Sequence, residues 1–383
     1  MKHTYCIFSA NYFPTLGGVE RYTYNLSKYL IEKGNQVIIV TSNVHHLAHY
    51  EEIEGIKIYR LPCINLLGGR FPVTQLNLAM FKMLKQVKKE NIDYTIINTR
   101  FYLHSLVGMI FSKMNGKKAI VIEHGTNHFT INHPIWDKLG ECYEHMITGL
   151  LRLMKPEFYG VSEACNRWLG HFNIKAKGVC FNAIDMCDIE KIMQEDTGYS
   201  FKEAYGLKEN DIVITYTGRL VKEKGIEKLI QAFEKVATTH RECYLAIAGD
   251  GDLYDQIKSH VHPQIKVLGR LDFKQIISLL KETTIFCLPT DYPEGFPTSV
   301  LEAAACECYI ITTTKGGSKE LILSSEYGVI LEENTIEEIE EAIQVAIDNM
   351  EKTNQAVQKS YTRLKEHFTW EQTSQKIIEI FKN

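Results

Sequence analysis

Apolar residues along this chain follow two alternating spacings. Unbroken runs such as Tyr5–Ser9 and Gln36–Thr41 read as strands buried on both faces. After the loop Asn11–Gly18, Val19, Tyr22, Leu26, Tyr29 and Leu30 recur at helical spacing, and Gly34 stands where a left-handed residue would end that helix. Tyr94–Asn98 and Ala119–Glu123 are further strand-like runs. Tyr159–Val161 ends another, with Ser162 as N-cap of a helix opening at Glu163. From Ile212 onward the alternation is cleaner. Ile212–Thr217, Tyr244–Ala248, Ile265–Leu268, Ile285–Leu288 and Ile310–Thr313 read as strands. Between them lie helical patterns, one marked by Ile226, Leu229, Ile230, Phe233 and Val236, another opening near Leu253.

Strands alternating with helices predict an α/β protein of two doubly wound parallel sheets. The join is expected near Phe181–Asp211, where Asn182-Ala183-Ile184-Asp185 leads into a polar, weakly periodic stretch. That gives domains of 1–185 and 186–365, followed by a helical tail, 366–383, carrying Phe368-Thr369-Trp370. In open α/β sheets, ligands bind beyond the carboxyl ends of the strands. The loops after strands are therefore where chemistry is sought.

Composition adds bounds. A length of 383 residues is too great for one ordinary core, and 45% hydrophobic with 23% charged residues is usual for a soluble protein. No apolar run approaches the ~20 residues of a membrane span. The N-terminal residues enter a strand without a signal-peptide pattern, so a cytoplasmic location is expected. Ten cysteines form no Cys-x-x-Cys pair, and Cys306-x-Cys308 lacks partners at zinc-site spacing. Reduced thiols are expected, and no metal site. Charge divides unevenly: residues 1–185 hold 21 Lys+Arg against 14 Asp+Glu, and the remainder 22 against 33. No nucleic-acid motif accompanies the basic part. An anionic membrane surface or a phosphate-bearing acceptor suits it equally. Phe81, Leu84 and Val87 fall along one face of a lysine-rich helical segment, Phe81–Lys89, which fits a membrane-surface helix or an ordinary surface helix.

Several strand-end motifs carry candidate chemistry. Gly17-Gly18 opens a helix, where backbone amides can meet an anion, although a plain tight turn explains it as well. Arg219 and Lys224 flank the loop after Ile212–Thr217. Cations there oppose the helix dipole unless an anion sits between them. Gly249-Asp250-Gly251 lacks the dinucleotide fingerprint. His124-Gly125 follows Ala119–Glu123, and Gly316-Gly317 follows Ile310–Thr313, where a capping turn competes with a ligand role. Pro293-Glu294-Gly295-Phe296-Pro297-Thr298-Ser299-Val300-Leu301-Glu302 places two carboxylates eight residues apart across a helix start. Glu294 ends the loop and Glu302 is expected in the first turn. The same residues also fit a capping box, with Ser299 as N-cap and Glu302 reaching back.

Taken in order, these motifs resemble the large retaining glycosyltransferase family numbered four, of the GT-B fold. The resemblance covers nearly the whole chain and is densest from about Ile212 to Glu320. It implies two Rossmann-like domains facing a cleft, the first for the acceptor and the second for a nucleotide sugar. Arg219 and Lys224 would bind the diphosphate, Glu302 the ribose, and Glu294 the donor sugar. Gly17 and Gly18 would close on the phosphate across the cleft, and His124 would sit near the transferred sugar. The donor site would extend over Gly249, Gly251, Leu271, Gly295, Phe296, Pro297 and Thr298. The C-terminal helix would return to the first domain. Ala183, Glu307 and Tyr309 stand where the family usually has Gly, Gly and Pro, which bears on specificity.

The implied function is retaining, metal-independent transfer of a hexose-type sugar from a UDP- or GDP-linked donor. Fixed cations would meet leaving-group charge on the diphosphate. Attack would come from the same face, and no side chain is assigned as nucleophile. The acceptor would be a glycan or lipid-linked glycan of cell-surface polysaccharide, lipopolysaccharide or glycolipid, with peripheral contact at the inner face of the plasma membrane. No cofactor is expected beyond the donor itself. A sugar-nucleotide epimerase on the same fold and a non-catalytic nucleotide-binding scaffold are the alternatives.

Overall fold

The computed structural model describes residues 2–131, 133–195 and 197–382. It divides into two units, Met1–Asn182 with Trp370–Asn383, and Ala183–Thr369.

The first unit is built on β1 (Thr4–Ser9), β2 (Gln36–Ser42), β3 (Tyr50–Ile53), β4 (Ile56–Leu61), β5 (Cys63–Leu66), β6 (Phe71–Thr74), β7 (Tyr94–Asn98), β8 (Lys118–Glu123), β9 (Glu157–Gly160) and β10 (Gly178–Val179). Eight of these form one sheet in the order β10-β9-β8-β7-β1-β2-β4-β3, parallel except for the β3–β4 hairpin. Every residue of β1 is buried, which is why its sequence shows a run rather than an alternation. The helix Gly18–Glu32 ends as its sequence suggests: Gly34 adopts φ +84, and the Gly34 and Asn35 amides donate to the Ile31 and Leu30 carbonyls in a Schellman motif. Ser162 caps the helix Glu163–His171 through the Cys165 amide.

One expectation for this unit fails. The lysine-rich helix, Leu78–Lys88, buries Met80, Met83 and Val87, while Phe81 is 59% exposed. Asn77 is its N-cap, so the packed stripe starts at Met80 and Phe81 lies one position off it. The hairpin β3–β4 and the pair β5–β6 carry no strong sequence signal. Glu54 and Gly55 turn the first hairpin with positive φ at both, and β3 is largely exposed and acidic.

The second unit holds β11 (Ile212–Thr217), β12 (Cys243–Ala248), β13 (Ile265–Gly269), β14 (Ile285–Leu288), β15 (Tyr309–Thr313) and β16 (Val329–Leu331) in one parallel sheet, ordered β13-β12-β11-β14-β15-β16. Strand order reverses between β11 and β14, the position where doubly wound sheets open a crevice. Two short helices, Met186–Gln194 and Phe201–Tyr205, occupy the stretch that reads as a linker.

The capping-box reading of Ser299 is not what forms. The helix Thr298–Ala305 has Pro297 at its N-cap, and Ser299 and Glu302 are its second and fifth residues. Pro297 has the extended backbone an N-cap needs but no side-chain acceptor. Glu302 accordingly lies beyond the first turn. The capping box forms instead at Asp272 and Gln275, opening the helix Phe273–Lys281.

The chain's last two helices fall in different units. Met350–His367 closes the second, and Trp370–Lys382 packs in the first, where Trp370 meets Tyr22 edge-on at 5.0 Å and Phe381 stacks on Tyr94 at 4.6 Å. Among the described residues, no helix is long and apolar enough to cross a membrane.

Candidate functional site

In the second unit, Arg219 lies two residues past β11 and Glu294 past β14, so both stand at the carboxyl ends of the strands flanking the switch point. Lys222–Lys224 make a single 3₁₀ turn, and Gly225 adopts φ +73 to start the helix Ile226–Thr239. A Cβ on Gly225 would stand 1.9 Å from the Pro289 carbonyl oxygen. Only glycine lets Lys224 approach the β14 loop this closely. The Asp291 amide donates to the Glu223 carbonyl at 2.8 Å and locks the two loops together.

That juxtaposition pairs Lys224 Nζ with Glu294 Oε1, both side chains mostly buried. Tyr292 lies beneath both cations: its ring centroid is 5.2 Å from the Arg219 guanidinium carbon and 5.3 Å from Lys224 Nζ. The Arg219 carbonyl accepts from the Tyr216 hydroxyl at 2.9 Å. Burial, and then the nearby Glu294 charge, push that phenol up, so it stays protonated. Gly316, at φ +64, packs against Glu294; a Cβ there would meet the Glu294 carbonyl oxygen at 2.8 Å.

Other sequence candidates are placed as follows. Gly249 and Gly251 lie past β12, where Gly249 N–H donates to the Gly269 carbonyl and Leu220 N–H to the Asp250 carbonyl, knitting this loop to the Arg219 loop. Phe296 is buried, edge-on to Phe368 at 5.2 Å, so its ring is committed to packing. Pro297 is buried, and Gly295, Thr298 and Glu302 are partly exposed around the helix start. Leu271 packs against the cluster of Phe201, Val213, Ala246, Ala248 and Leu279. The structure therefore brings Arg219 and Lys224 over Tyr292, with Glu294 between Lys224 and Gly316. Tyr292 was not singled out from sequence, although it stands two residues before Glu294.

In the first unit the order reverses between β1 and β7, and the same rule applies. Gly17 is N-cap of the helix after β1, with the Glu20 carboxylate folded back beside it and its pKa raised by burial. Gly18 is the first residue of that helix. His124 follows β8. Asn98 Nδ2 donates to Thr23 Oγ1 at 2.8 Å, which turns Asn98 Oδ1 toward His124 Nε2 at 3.2 Å. Nε2 therefore carries the proton and Nδ1 is the acceptor. Burial pushes the imidazole down to about 3, so His124 is neutral at physiological pH. It cannot supply a fixed positive charge, but it can exchange hydrogen bonds with a hydroxyl.

Sequence reasoning missed a buried network beside it. Arg100, fully buried, donates to Glu123 Oε2 at 2.6 Å and to Glu144 Oε2 at 2.9 Å. Glu123 Oε1 in turn accepts the His124 and Gly125 amides at 3.0 and 2.9 Å, which sets the loop carrying His124. Glu144 also accepts the Phe129 amide at 2.8 Å. Beyond this network lies an apolar cavity of about 460 Å³, lined chiefly by Leu66, Leu67, Phe71, Phe129, Trp136 and Tyr143.

Two doubly wound α/β units, one presenting two cations and a carboxylate at its switch point, are the architecture of a GT-B-type fold. Residues 16–185 match the family model "Glycosyltransferase Family 4" and residues 200–363 match "Glycosyl transferases group 1". Together these matches cover most of the chain, and the protein belongs to this glycosyltransferase family. It is 25% identical over 390 residues to an uncharacterized glycosyltransferase of Methanocaldococcus jannaschii, covering 98% of this chain and 97% of that one. It is 24% identical to a phosphatidylinositol N-acetylglucosaminyltransferase subunit of Saccharomyces cerevisiae, covering 97% of this chain and 81% of the relative. Among solved structures, Anabaena HepE in complex with UDP superposes with a TM-score of 0.72 at 18% identity over the full length of both chains. The same protein is also known in complex with UDP-glucose.

Proposed function

We propose that this protein is a retaining transferase that moves a hexose-type sugar from a nucleoside diphosphate sugar to a lipid-linked acceptor. The observation that carries the reading is the convergence of Arg219 and Lys224 over Tyr292, with Lys224 paired to Glu294, at the switch point of a parallel sheet. A diphosphate offers charge to both cations, and Lys224 then exchanges part of its contact with Glu294 for the ligand. As the sugar–phosphate bond breaks, negative charge grows on the diphosphate, and pre-placed cations stabilise it more than they stabilise the ground state. Glu294 is then the carboxylate for donor-sugar hydroxyls and Glu302 the one for the ribose. Neutral His124 offers Nδ1 to a hydroxyl of the sugar.

A UDP-linked donor is favoured by the UDP and UDP-glucose complexes of a structural neighbour. A lipid-linked acceptor is supported by the apolar cavity and by exposed Ile135, Trp136 and Leu139 on the neighbouring helix Pro134–Leu153. The excess of basic residues in 1–185 suits an anionic membrane surface.

Calorimetry with UDP, GDP, ADP and their sugars tests the reading, with Arg219→Ala and Glu302→Ala as controls. One nucleotide is expected to bind at micromolar concentration, and each variant to weaken it at least about tenfold. Binding by none of them, with circular dichroism unchanged, would overturn it.

A further inference from the structure

Three histidines outside the strand-end site meet in the first unit. His128 lies in the loop after β8, His145 on the helix Pro134–Leu153, and His171 is the last residue of the helix Glu163–His171. One ring nitrogen from each lies within 4.8 Å of the other two. His171 Nε2 is 3.3 Å from His128 Nε2 and 3.2 Å from His145 Nε2.

Hydrogen bonding among the rings does not account for this arrangement. An imidazole nitrogen carries either one hydrogen or one lone pair in the ring plane. His171 Nε2 faces two other ring nitrogens at hydrogen-bond distance and can satisfy one. A cation shared by three lone pairs satisfies all of them. The two spacings at His171 also fit: tetrahedral metal–nitrogen bonds of ~2.0–2.1 Å hold their nitrogens ~3.3 Å apart.

The surroundings prepare the donors. His128 Nδ1 lies 3.0 Å from Glu144 Oε2, so that nitrogen carries the proton and Nε2 presents its lone pair. A carboxylate behind a histidine is the usual outer partner of a metal-binding imidazole. Glu144 is itself held by Arg100 and the Phe129 amide. His171 is stacked on Trp168 at 4.8 Å with 5° between the rings, which fixes its plane. His145 and His171 are exposed, which leaves room for water as a fourth ligand.

We propose that His128, His145 and His171 form a binding site for a divalent transition metal of the Zn²⁺ type. Three neutral imidazoles with an open position suit such an ion and not Mg²⁺ or Ca²⁺, which take oxygen ligands. The ion would clip the loop holding His128 to two helices. Phe129, next in that loop, lines the apolar cavity, so the clip sets one cavity wall. This inference is independent of the transfer reading, whose cations are Arg219 and Lys224.

The test uses the tag-free full chain stripped with EDTA. Zn²⁺ titrated by calorimetry is expected to bind once per chain, and Co²⁺ to give the intense visible bands of four-coordinate geometry. His145→Ala and His171→Ala, both at exposed positions, are expected to weaken Zn²⁺ binding at least about 100-fold, since losing even an outer partner costs about 10- to 100-fold. A variant combining Cys142→Ser and Cys187→Ser, both at exposed positions, is expected to leave binding unchanged. Equal Zn²⁺ affinity in wild type and in both histidine variants, or loss of binding only in the cysteine variant, would overturn the proposal. So would the absence of binding tighter than millimolar in the wild type.

Discussion

Arg100 and Arg219 both stand at strand ends beside a switch point, one in each unit, and do opposite things. Each stands two residues past a strand beside its sheet's switch point, β7 for Arg100 and β11 for Arg219. Arg219 is exposed, and its guanidinium sits over the Tyr292 ring. Arg100 is fully buried between Glu123 and Glu144, with the Phe172 ring 3.8 Å from its guanidinium carbon. A strand end at a switch point is thus a place for a cation, but burial decides what the cation is for. Where carboxylates of the chain reach it, the charge holds the fold together. Where none is fixed on it and solvent reaches it, the charge remains available to a ligand.

Exchanging the two roles gives the largest expected effect. Arg100→Met leaves two buried carboxylates without their cation and is expected to cost about 3–5 kcal/mol of stability. Arg219→Met removes an exposed charge and is expected to change stability by less than about 0.5 kcal/mol, while weakening nucleotide binding at least about tenfold. Urea midpoints and calorimetry on the two variants measure both halves. Equal destabilisation by the two substitutions would mean that burial does not separate the roles of the two arginines.

A second contrast lies in acid. His104 and His124, both in the first unit, are pushed by burial down to about 4 and about 3. In the unfolded chain a histidine takes its proton near pH 6.5. The unfolded state therefore binds more protons than the native state below that pH, and stability falls as pH falls from about 6.5 toward 4. The expected slope is about 1.4 kcal/mol per pH unit for each imidazole. Glu20 and Glu144 act oppositely: burial raises both carboxyls, so the native state takes up their protons first and offsets part of the loss in the carboxylate range. Denaturant titrations at stepped pH check this. The variant His104→Asn with His124→Asn should show a flatter slope between pH 6.5 and 4. An unchanged slope would mean that the two imidazoles are not the source.

These contrasts also explain how much of the molecule can be read from its residues. Strands such as Ile212–Thr217 and Ile285–Leu288 are legible to the residue because burial on both faces demands an unbroken apolar run. The loops holding Arg219, Lys224 and Glu294 are legible because they follow such strands directly, with glycines where backbones touch. The first unit's buried ion network and its histidine cluster are not. Arg100, Glu123 and Glu144 are 23 and 21 residues apart in sequence, and His128, His145 and His171 are 17 and 26 apart. No local period links such residues; the parallel crossovers bring them together. The Ser299 capping box fails for a different reason. Pro297 has backbone angles suited to the N-cap and starts the helix two residues earlier, so a correct local pattern is set in the wrong register.

The smallest expected effect concerns the aromatic beneath each arginine. Tyr292, itself half-buried, presents its ring to exposed Arg219 and to Lys224 at 5.2 and 5.3 Å. A cation–π contact of this kind contributes about 0.5–1 kcal/mol. Tyr292→Leu is therefore expected to weaken nucleotide binding about 2- to 5-fold through poorer placement of the two cations. Tyr292→Phe, which keeps the ring, should bind as the wild type does. Phe172 under buried Arg100 provides the control from the other unit: Phe172→Leu should lower stability and leave nucleotide affinity unchanged. Calorimetry resolves a threefold change, so the pair of variants is decisive. If Tyr292→Phe also weakens binding, the hydroxyl and not the ring is what the ligand meets, and Tyr292 contacts the donor directly instead of steadying the cations that do.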